Sequence, residues 1–142
     1  RESRMREPRA ADAAALVRAI ADALQSQLDR PFALFGYSFG ALLAFETARE
    51  LRRRGAPPPA WLFAAARHAP QLPAIHPPLG RLPHARFVEA IEHYYRPEDA
   101  AWQIPELREL ILPILRDDIC LADDYAYAHE VPLALDPSEK EP

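Results

Sequence analysis

The feature that most constrains this chain is a short apolar run that meets a sharp turn and then a helical pattern, with Ser38 at the turn. The run 32–36 has the length and bulk typical of a parallel strand buried on both faces. Pro31, which cannot donate to a sheet ladder, stands only at its start. After the turn, apolar residues recur at helical spacing until Gly55, a natural residue for the end of a helix. The sequence therefore predicts a strand at 32–36 and a helix at about 39–54.

The turn carries the pentad Gly36, Tyr37, Ser38, Phe39 and Gly40, which has the form G-x-S-x-G of a nucleophile elbow. Two of the four glycines of the chain flank Ser38, where we expect a Cβ to obstruct the turn or the packing of helix on strand. A simpler alternative is that Ser38 only caps the helix. The strand and helix on either side favour a catalytic nucleophile, with the backbone N–H of Phe39 as a donor to the oxyanion.

The flanking segments predict an α/β unit around this turn. Residues 12–29 have the apolar spacing of an amphipathic helix, with Asp12 as its N-cap. A second apolar run, 61–66, follows the proline-rich linker 57–59. A strand, helix, strand order with a crossover helix implies parallel pairing and a right-handed crossover. Ser38 is then expected at the carboxyl edge of the sheet, where open α/β sheets bind their ligands.

The second half of the chain has a different character, because residues 68–83 are rich in proline and read as an irregular connection. Helical patterns follow at about 84–95 and from Pro105 onward, and Pro113 is expected to kink or divide the second helix. No strand pattern occurs in this stretch. We predict that residues 84–128 form an all-helical lid inserted after a strand of the α/β unit.

Composition excludes several other functions. The chain has 142 residues and a net charge of −4 with mixed signs, which gives no electrostatic footprint for nucleic acid. The single cysteine, Cys120, permits no disulfide within the chain. There is no run of membrane-spanning length and no signal-peptide pattern, so we expect a cytoplasmic protein without a membrane partner. Because the chain starts at Arg1 and ends in a polar segment, we expect residues 1–142 to be one partial domain.

Three stretches resemble the type II, or discrete, thioesterases of non-ribosomal peptide and polyketide biosynthesis, which belong to the α/β-hydrolase superfamily. These stretches are 32–46 around the elbow, 62–70 at the second strand and 105–118 in the predicted lid. Tyr37 departs from the histidine more often found there in the type II enzymes. Tyrosine at this position also occurs in the thioesterase domains fused to synthetases. The prediction of a discrete enzyme therefore rests on the resemblance in the lid.

The resemblance implies hydrolysis of an acyl thioester held on the phosphopantetheine of an acyl or peptidyl carrier protein. It implies no cofactor and no metal in the enzyme, and an acyl-enzyme on Ser38. Two other functions stay open: a related serine esterase or acyltransferase, and a non-catalytic, truncated remnant whose lid binds a carrier protein.

The base and acid of the catalytic triad are expected outside these residues, because the resembling family carries both after its lid. His68 lies near the end of the second strand and is the one histidine expected close to the sheet edge. A loop histidine is more often solvated or locally hydrogen-bonded than catalytic. The candidate acids are interpreted first as surface residues, and they are Asp117, Asp118, Asp123, Asp124 and Asp136.

Overall fold

The computed structural model describes residues 10–98 and 100–133. In chain order the elements are α1 (Ala13–Leu24), β1 (Ala33–Tyr37), α2 (Phe39–Arg53), β2 (Trp61–Ala65), α3 (His84–Tyr95), α4 (Ala100–Gln103) and α5 (Pro105–Asp123). They divide into two compact units. The first contains the described residues up to Leu72 and from Ala126 onward, and the second is Pro73–Tyr125. None of the helices described is long and apolar enough to cross a membrane.

The first unit is built on β1 and β2, which pair in parallel from Ala33 opposite Trp61 to Tyr37 opposite Ala65. This confirms the parallel strand, helix, strand arrangement predicted from the sequence. Helix α2 connects the strands and contacts both of them and α1. The buried apolar side chains come mainly from the two helices, and they are Val17, Ala21, Ala41, Leu42, Ala44, Ala48 and Leu51.

Helix α1 begins where the sequence predicts and ends earlier. The side chain of Asp12 accepts a hydrogen bond from the backbone N–H of Ala15 at 2.6 Å and so caps the helix. The α-helical hydrogen bonding ends at Leu24, and the chain continues as a single 3₁₀ turn, Gln25–Gln27. A tighter last turn of this kind is common at helix ends.

The prediction that the first strand is buried on both faces is wrong for the described residues. Gly36 is buried on the α2 side, whereas Phe35 is 72% exposed and Tyr37 66% exposed. In β2, Trp61 and Phe63 are also exposed, and their rings stack with centroids 6.2 Å apart. Side chains alternate between the two faces of a strand. Helix α2 covers one face of the strand pair, and no described element covers the other.

The second unit has its own hydrophobic core, formed by the three helices and by Leu79 from the segment before them. Its buried members are Leu79, Phe87, Ile91, Trp102, Leu112 and Ile119. The short helix α4, which the sequence did not predict, brings Trp102 into this core. The unit extends from Pro73 to Tyr125, whereas the sequence placed a lid at 84–128. Its role as a lid stays a prediction.

Helix α5 runs unbroken through Pro113, so of the two predicted effects the division of the helix is wrong, and a kink stays a prediction. Pro113 removes one backbone hydrogen bond. The helix nevertheless buries Leu112 before the proline and Ile119 after it in the same core. Pro113 itself is exposed. Packing of both halves on one core therefore outweighs the local preference for a break.

The C-terminal half of α5 also holds the proline-rich segment that precedes α3. A carboxylate oxygen of Asp123 accepts hydrogen bonds from the backbone N–H groups of Leu79 and Gly80, both at 2.8 Å. Arg116 donates to the carbonyl oxygens of Gly80 and Leu82 at 2.9 and 2.6 Å. Asp123 is thus a structural anchor and not the surface residue that the sequence suggested.

A buried arginine on α2 fixes the segment that follows the second unit along the chain. The side chain of Arg49 is 3% exposed and forms ion pairs with Glu46 at 2.7 Å and with Glu130 at 2.8 Å. Its guanidinium also donates to the carbonyl oxygen of Ala128 at 2.5 Å. A buried charge needs this degree of compensation, because an unpaired one is costly to desolvate.

Further contacts extend this anchor along α2. The guanidinium of Arg49 lies 5.4 Å from the centre of the Phe45 ring and 5.2 Å from that of Tyr127. Arg52 and Arg53 form ion pairs with Glu130 at 2.6 and 2.7 Å. We call Arg49, Arg52, Arg53 and Glu130 the arginine cluster. It holds residues 126–133 on α2.

The arginine cluster predicts a dependence on pH that Glu130 controls. Burial raises the pKa of the Glu130 carboxyl, but hydrogen bonds from Arg49 and Arg52 outweigh burial and place the pKa below its ordinary value. A carboxyl with a lowered folded-state pKa stabilises the fold above the unfolded-state pKa, near pH 4.3, and this contribution disappears as pH falls through the folded-state pKa. Acidification from about pH 7 to below the folded-state pKa should therefore remove the ion pairs of Glu130 and weaken the attachment of residues 126–133, while the hydrogen bonds from Arg49 and Arg52 to backbone carbonyl oxygens remain.

Backbone ¹⁵N relaxation of residues 126–133, measured by NMR across this pH range, tests the prediction. Glu130→Gln should make the segment more mobile at neutral pH and flatten the pH dependence of its mobility. The control is Glu98→Gln, which changes an exposed carboxylate in the second unit and should behave as the unchanged protein. Equal pH dependence in the Glu130→Gln and Glu98→Gln proteins would show that Glu130 does not control the segment.

Candidate active site

The candidate site is the turn between β1 and α2, where Ser38 follows the last strand residue and precedes the first helical residue. The backbone of Ser38 has φ 53° and ψ −119°, a strained conformation for a residue with a side chain. Backbone strain of this kind concentrates at functional sites, where surrounding structure maintains it. The Ser38 side chain makes no capping hydrogen bond to α2. The alternative in which Ser38 serves as a helix cap therefore has no support in the geometry.

Two backbone hydrogen bonds hold Ser38 in this conformation. Its N–H donates to the carbonyl oxygen of Ala65, the last residue of β2, at 2.9 Å. Its own carbonyl oxygen accepts from the N–H of Ala41 in the first turn of α2, at 3.0 Å. Ser38 is thus tied to the neighbouring strand on one side and to its own helix on the other. This places it at the carboxyl edge of the parallel strand pair, as the sequence predicts.

The two glycines of the pentad have different structural roles. A Cβ on Gly36 would overlap the backbone of Gly40 and Ala41, so only glycine permits α2 to start this close to β1. A Cβ on Gly40 would meet no described atom within 4 Å. The expectation that both glycines prevent a clash is therefore confirmed for Gly36 and wrong for Gly40 among the described residues. The carbonyl group of Gly40 lies against Gly36 of β1, but the position of its own Cβ would be open.

Phe39 is the first residue of α2, and the N–H groups of a first helical turn have no acceptor within the helix. The helix dipole adds a partial positive charge at the same end. Both features suit a developing negative charge next to Ser38. The assignment of the Phe39 N–H as an oxyanion donor stays a prediction.

Within the described ranges, no histidine side chain has a hydrogen bond to Ser38. His68 lies in the segment after β2 and is partly buried. His76 belongs to the second unit, where its ring contacts the hydroxyl of Tyr95 at 3.0 Å. Asp136 lies outside the described residues. Within the described ranges no three His, Cys, Asp or Glu side chains are grouped so as to hold a metal ion.

Sequence reasoning missed Ala66, which directly follows β2 and also has a positive φ, 54°. Positive φ values are normally signalled by glycine or asparagine. Here the sequence has three consecutive alanines, 64–66, and gives no such signal. Ala66 follows the residue whose carbonyl holds Ser38.

Comparison with known proteins gives consistent matches over nearly the whole chain. The family described as "Thioesterase domain" matches residues 1–140. The protein named Linear gramicidin dehydrogenase LgrE, from Brevibacillus parabrevis, is 38% identical over 136 residues, which cover 94% of this chain and 52% of that protein. The chain therefore spans about half the length of this curated relative.

Solved structures show the same relationship. The RedJ thioesterase from the prodiginine pathway of Streptomyces coelicolor is 36% identical, with a TM-score of 0.78, and the match covers 94% of this chain and 52% of RedJ. YbtT, a type II thioesterase from the yersiniabactin pathway, is 31% identical with a TM-score of 0.71, and the match covers 89% of this chain and 51% of YbtT.

The contrast between the two glycines gives a test of the turn. Gly36→Ala should lower the free energy of unfolding by about 3 kcal/mol or more, because the added methyl overlaps backbone atoms that cannot rotate away. Gly40→Ala, its matched control, should change it by less than about 1 kcal/mol. Urea unfolding followed by circular dichroism measures both. Similar losses in the two variants would contradict the geometry of the turn.

Proposed function

Because the chain belongs to the thioesterase domain family, we propose that it carries the nucleophile of a serine thioesterase that works through an acyl-enzyme on Ser38. The membership confirms the family resemblance and the α/β-hydrolase fold class predicted from the sequence. The observation that carries the proposal is the geometry of Ser38. Its backbone is strained, its side chain makes no capping hydrogen bond to α2, and it lies at the carboxyl edge of two parallel strands. A serine placed in this way has a hydroxyl free to attack a substrate carbonyl.

In the proposed reaction, the Ser38 hydroxyl oxygen attacks the carbonyl carbon of a thioester as a base removes its proton. The N–H of Phe39 donates to the negative oxygen of the tetrahedral intermediate, assisted by the dipole of α2. The carbon–sulfur bond then breaks, and the thiol leaves with the proton from the base. Water, activated by the same base, releases the acid and restores Ser38. We propose that a histidine and its partner carboxylate follow the lid in the full-length protein.

The proposed substrate is an acyl group on the phosphopantetheine thiol of an acyl or peptidyl carrier protein. Two matched structures come from pathways named prodiginine and yersiniabactin biosynthesis, the latter described as a non-ribosomal peptide and polyketide pathway. Removal of acyl groups from carrier proteins in such a pathway needs no cofactor in the enzyme. We propose that the protein works in the cytoplasm together with this carrier partner.

We propose that the second unit, Pro73–Tyr125, is the lid of this enzyme. It is helical and has its own core, so it can move as a body. Helix α5 exposes Leu107, Leu110 and Ile111 at a spacing that places them on one helical face. Such a face offers an apolar surface to an acyl chain.

The name of the gramicidin relative raises the possibility of a dehydrogenase, which the chain does not support. Nucleotide-dependent dehydrogenases bind pyrophosphate with a G-x-G-x-x-G turn. The four glycines of these residues stand at 36, 40, 55 and 80, which is incompatible with that spacing. The turn after β1 instead carries the serine pentad.

Replacement of the nucleophile tests the proposed function. Ser38→Ala in the full-length protein should reduce the hydrolysis of acyl-pantetheine thioesters by about 10⁴-fold to 10⁶-fold, because no other group takes over the attack. Release of the thiol, followed with a thiol-reactive dye, measures the rate. Ser26→Ala changes an exposed serine after α1 and serves as the control, with an unchanged rate expected. Equal rates in the two variants would rule out Ser38 as the nucleophile.

The same assay with an oxygen ester of the same acyl group separates the thioesterase from a general esterase. If the oxygen ester is hydrolysed faster and its hydrolysis also depends on Ser38, the assignment of Ser38 as the nucleophile stands and the proposed substrate class is overturned.

A further inference from the structure

Each of the two paired strands of the first unit is followed directly by a residue with a positive φ. Tyr37 and Ala65 are paired, so β1 and β2 end at the same level of the sheet. Ser38 follows with φ 53° and Ala66 with φ 54°. The third non-glycine residue with positive φ among the described residues, Arg96, ends α3 in an ordinary left-handed cap. Ala66 does not end a helix, and its conformation therefore needs another explanation.

The explanation lies in the peptide group that joins Ala65 to Ala66. The carbonyl oxygen of Ala65 accepts the N–H of Ser38 at 2.9 Å. A peptide group is planar, so this carbonyl and the N–H of Ala66 rotate together. The φ angle of Ala66 sets the direction of the chain after Ala66 relative to the plane of this peptide group. A change of φ to the usual negative range would turn the carbonyl away from Ser38 or redirect the following segment.

Side-chain packing does not account for the conformation. Ala66 is exposed, and a positive φ is unfavourable for alanine because its Cβ crowds the backbone. The strain is retained at a residue that contributes little to the core. It coincides with the hydrogen bond that restrains the backbone of Ser38.

We propose that Ala66 is a positioning residue for the nucleophile, acting through the carbonyl of Ala65 on the backbone of Ser38. The inference rests on the proposed function of Ser38. The backbone of Ser38 in turn directs its hydroxyl and the N–H of Phe39, the proposed oxyanion donor. The tolerance of such a donor is a few tenths of an ångström in distance. A rotation of the peptide group between Ala65 and Ala66 would therefore displace the Ser38 hydroxyl and the Phe39 N–H from their proposed catalytic positions.

Substitutions at Ala66 separate backbone conformation from side-chain size. Glycine adopts positive φ without strain, and asparagine adopts it more readily than other residues with side chains. Valine is branched at Cβ and is strongly disfavoured there. Asparagine and valine are similar in size, so a steric effect would impair both alike. Ala64→Val is the matched control, because Ala64 is an exposed position within the extended β2.

The experiment measures kcat and KM for an acyl-pantetheine thioester with the full-length protein. Ala66→Val should lower kcat by about 10-fold to 100-fold with little change in KM, because the nucleophile is misplaced while substrate binding remains. Ala66→Gly, Ala66→Asn and Ala64→Val should stay within about threefold of the unchanged protein. If circular dichroism shows that Ala66→Val is unfolded, Ala66→Leu replaces it in the experiment, because leucine is unbranched at Cβ.

A second measurement does not depend on activity. Amide exchange of Ser38, observed by NMR, should be faster in Ala66→Val than in Ala66→Asn, while the buried Ala48 in α2 exchanges at the same rate in both. Equal losses of kcat in the asparagine and valine variants would overturn the inference, as would full activity in Ala66→Val. Full activity of Ser38→Ala would instead overturn the proposed function itself, so the two failures are distinguishable.

Discussion

The hydrogen bond from the N–H of Ser38 to the carbonyl oxygen of Ala65 is the interaction on which the candidate site depends. It joins the end of one parallel strand to the turn that follows the other. Ser38 keeps an unfavourable backbone conformation because this bond, the first turn of α2 and the close approach at Gly36 restrain it together. Strain in a nucleophile turn persists only when several neighbours determine it in this way.

Outside the turn, charged side chains hold irregular segments in each of the two units. Arg49 on α2 binds the segment that follows the second unit, and Asp123 on α5 binds the loop that precedes α3. In both cases an ionised side chain satisfies backbone groups of a non-helical stretch, which is a strong form of hydrogen bond. Helix α2 therefore has two roles, since it begins directly after Ser38 and anchors residues 126–133 three turns further on.

Much of the site was predictable, because its parts are local in sequence. The apolar run, Ser38 and the helix after it occur consecutively, and periodicity identifies each of them. The exposure of Phe35 was not predictable. An apolar run identifies a strand, but it does not show whether other elements cover one face of that strand or both. The continuity of α5 through Pro113 was not predictable, because the burial of the residues around the proline is a tertiary effect. Ala66 carried no local signal, since its conformation follows from a hydrogen bond between two strands.

In the proposed reaction, Ser38 becomes covalently acylated during turnover. The most direct test is mass spectrometry of the full-length protein, quenched in acid shortly after mixing with an acyl-pantetheine thioester and digested into peptides. The account predicts that the mass of the acyl group appears on the peptide that contains Ser38 and disappears as substrate is consumed. Continued hydrolysis with an unmodified Ser38 peptide, or with the acyl group on another residue, would contradict it.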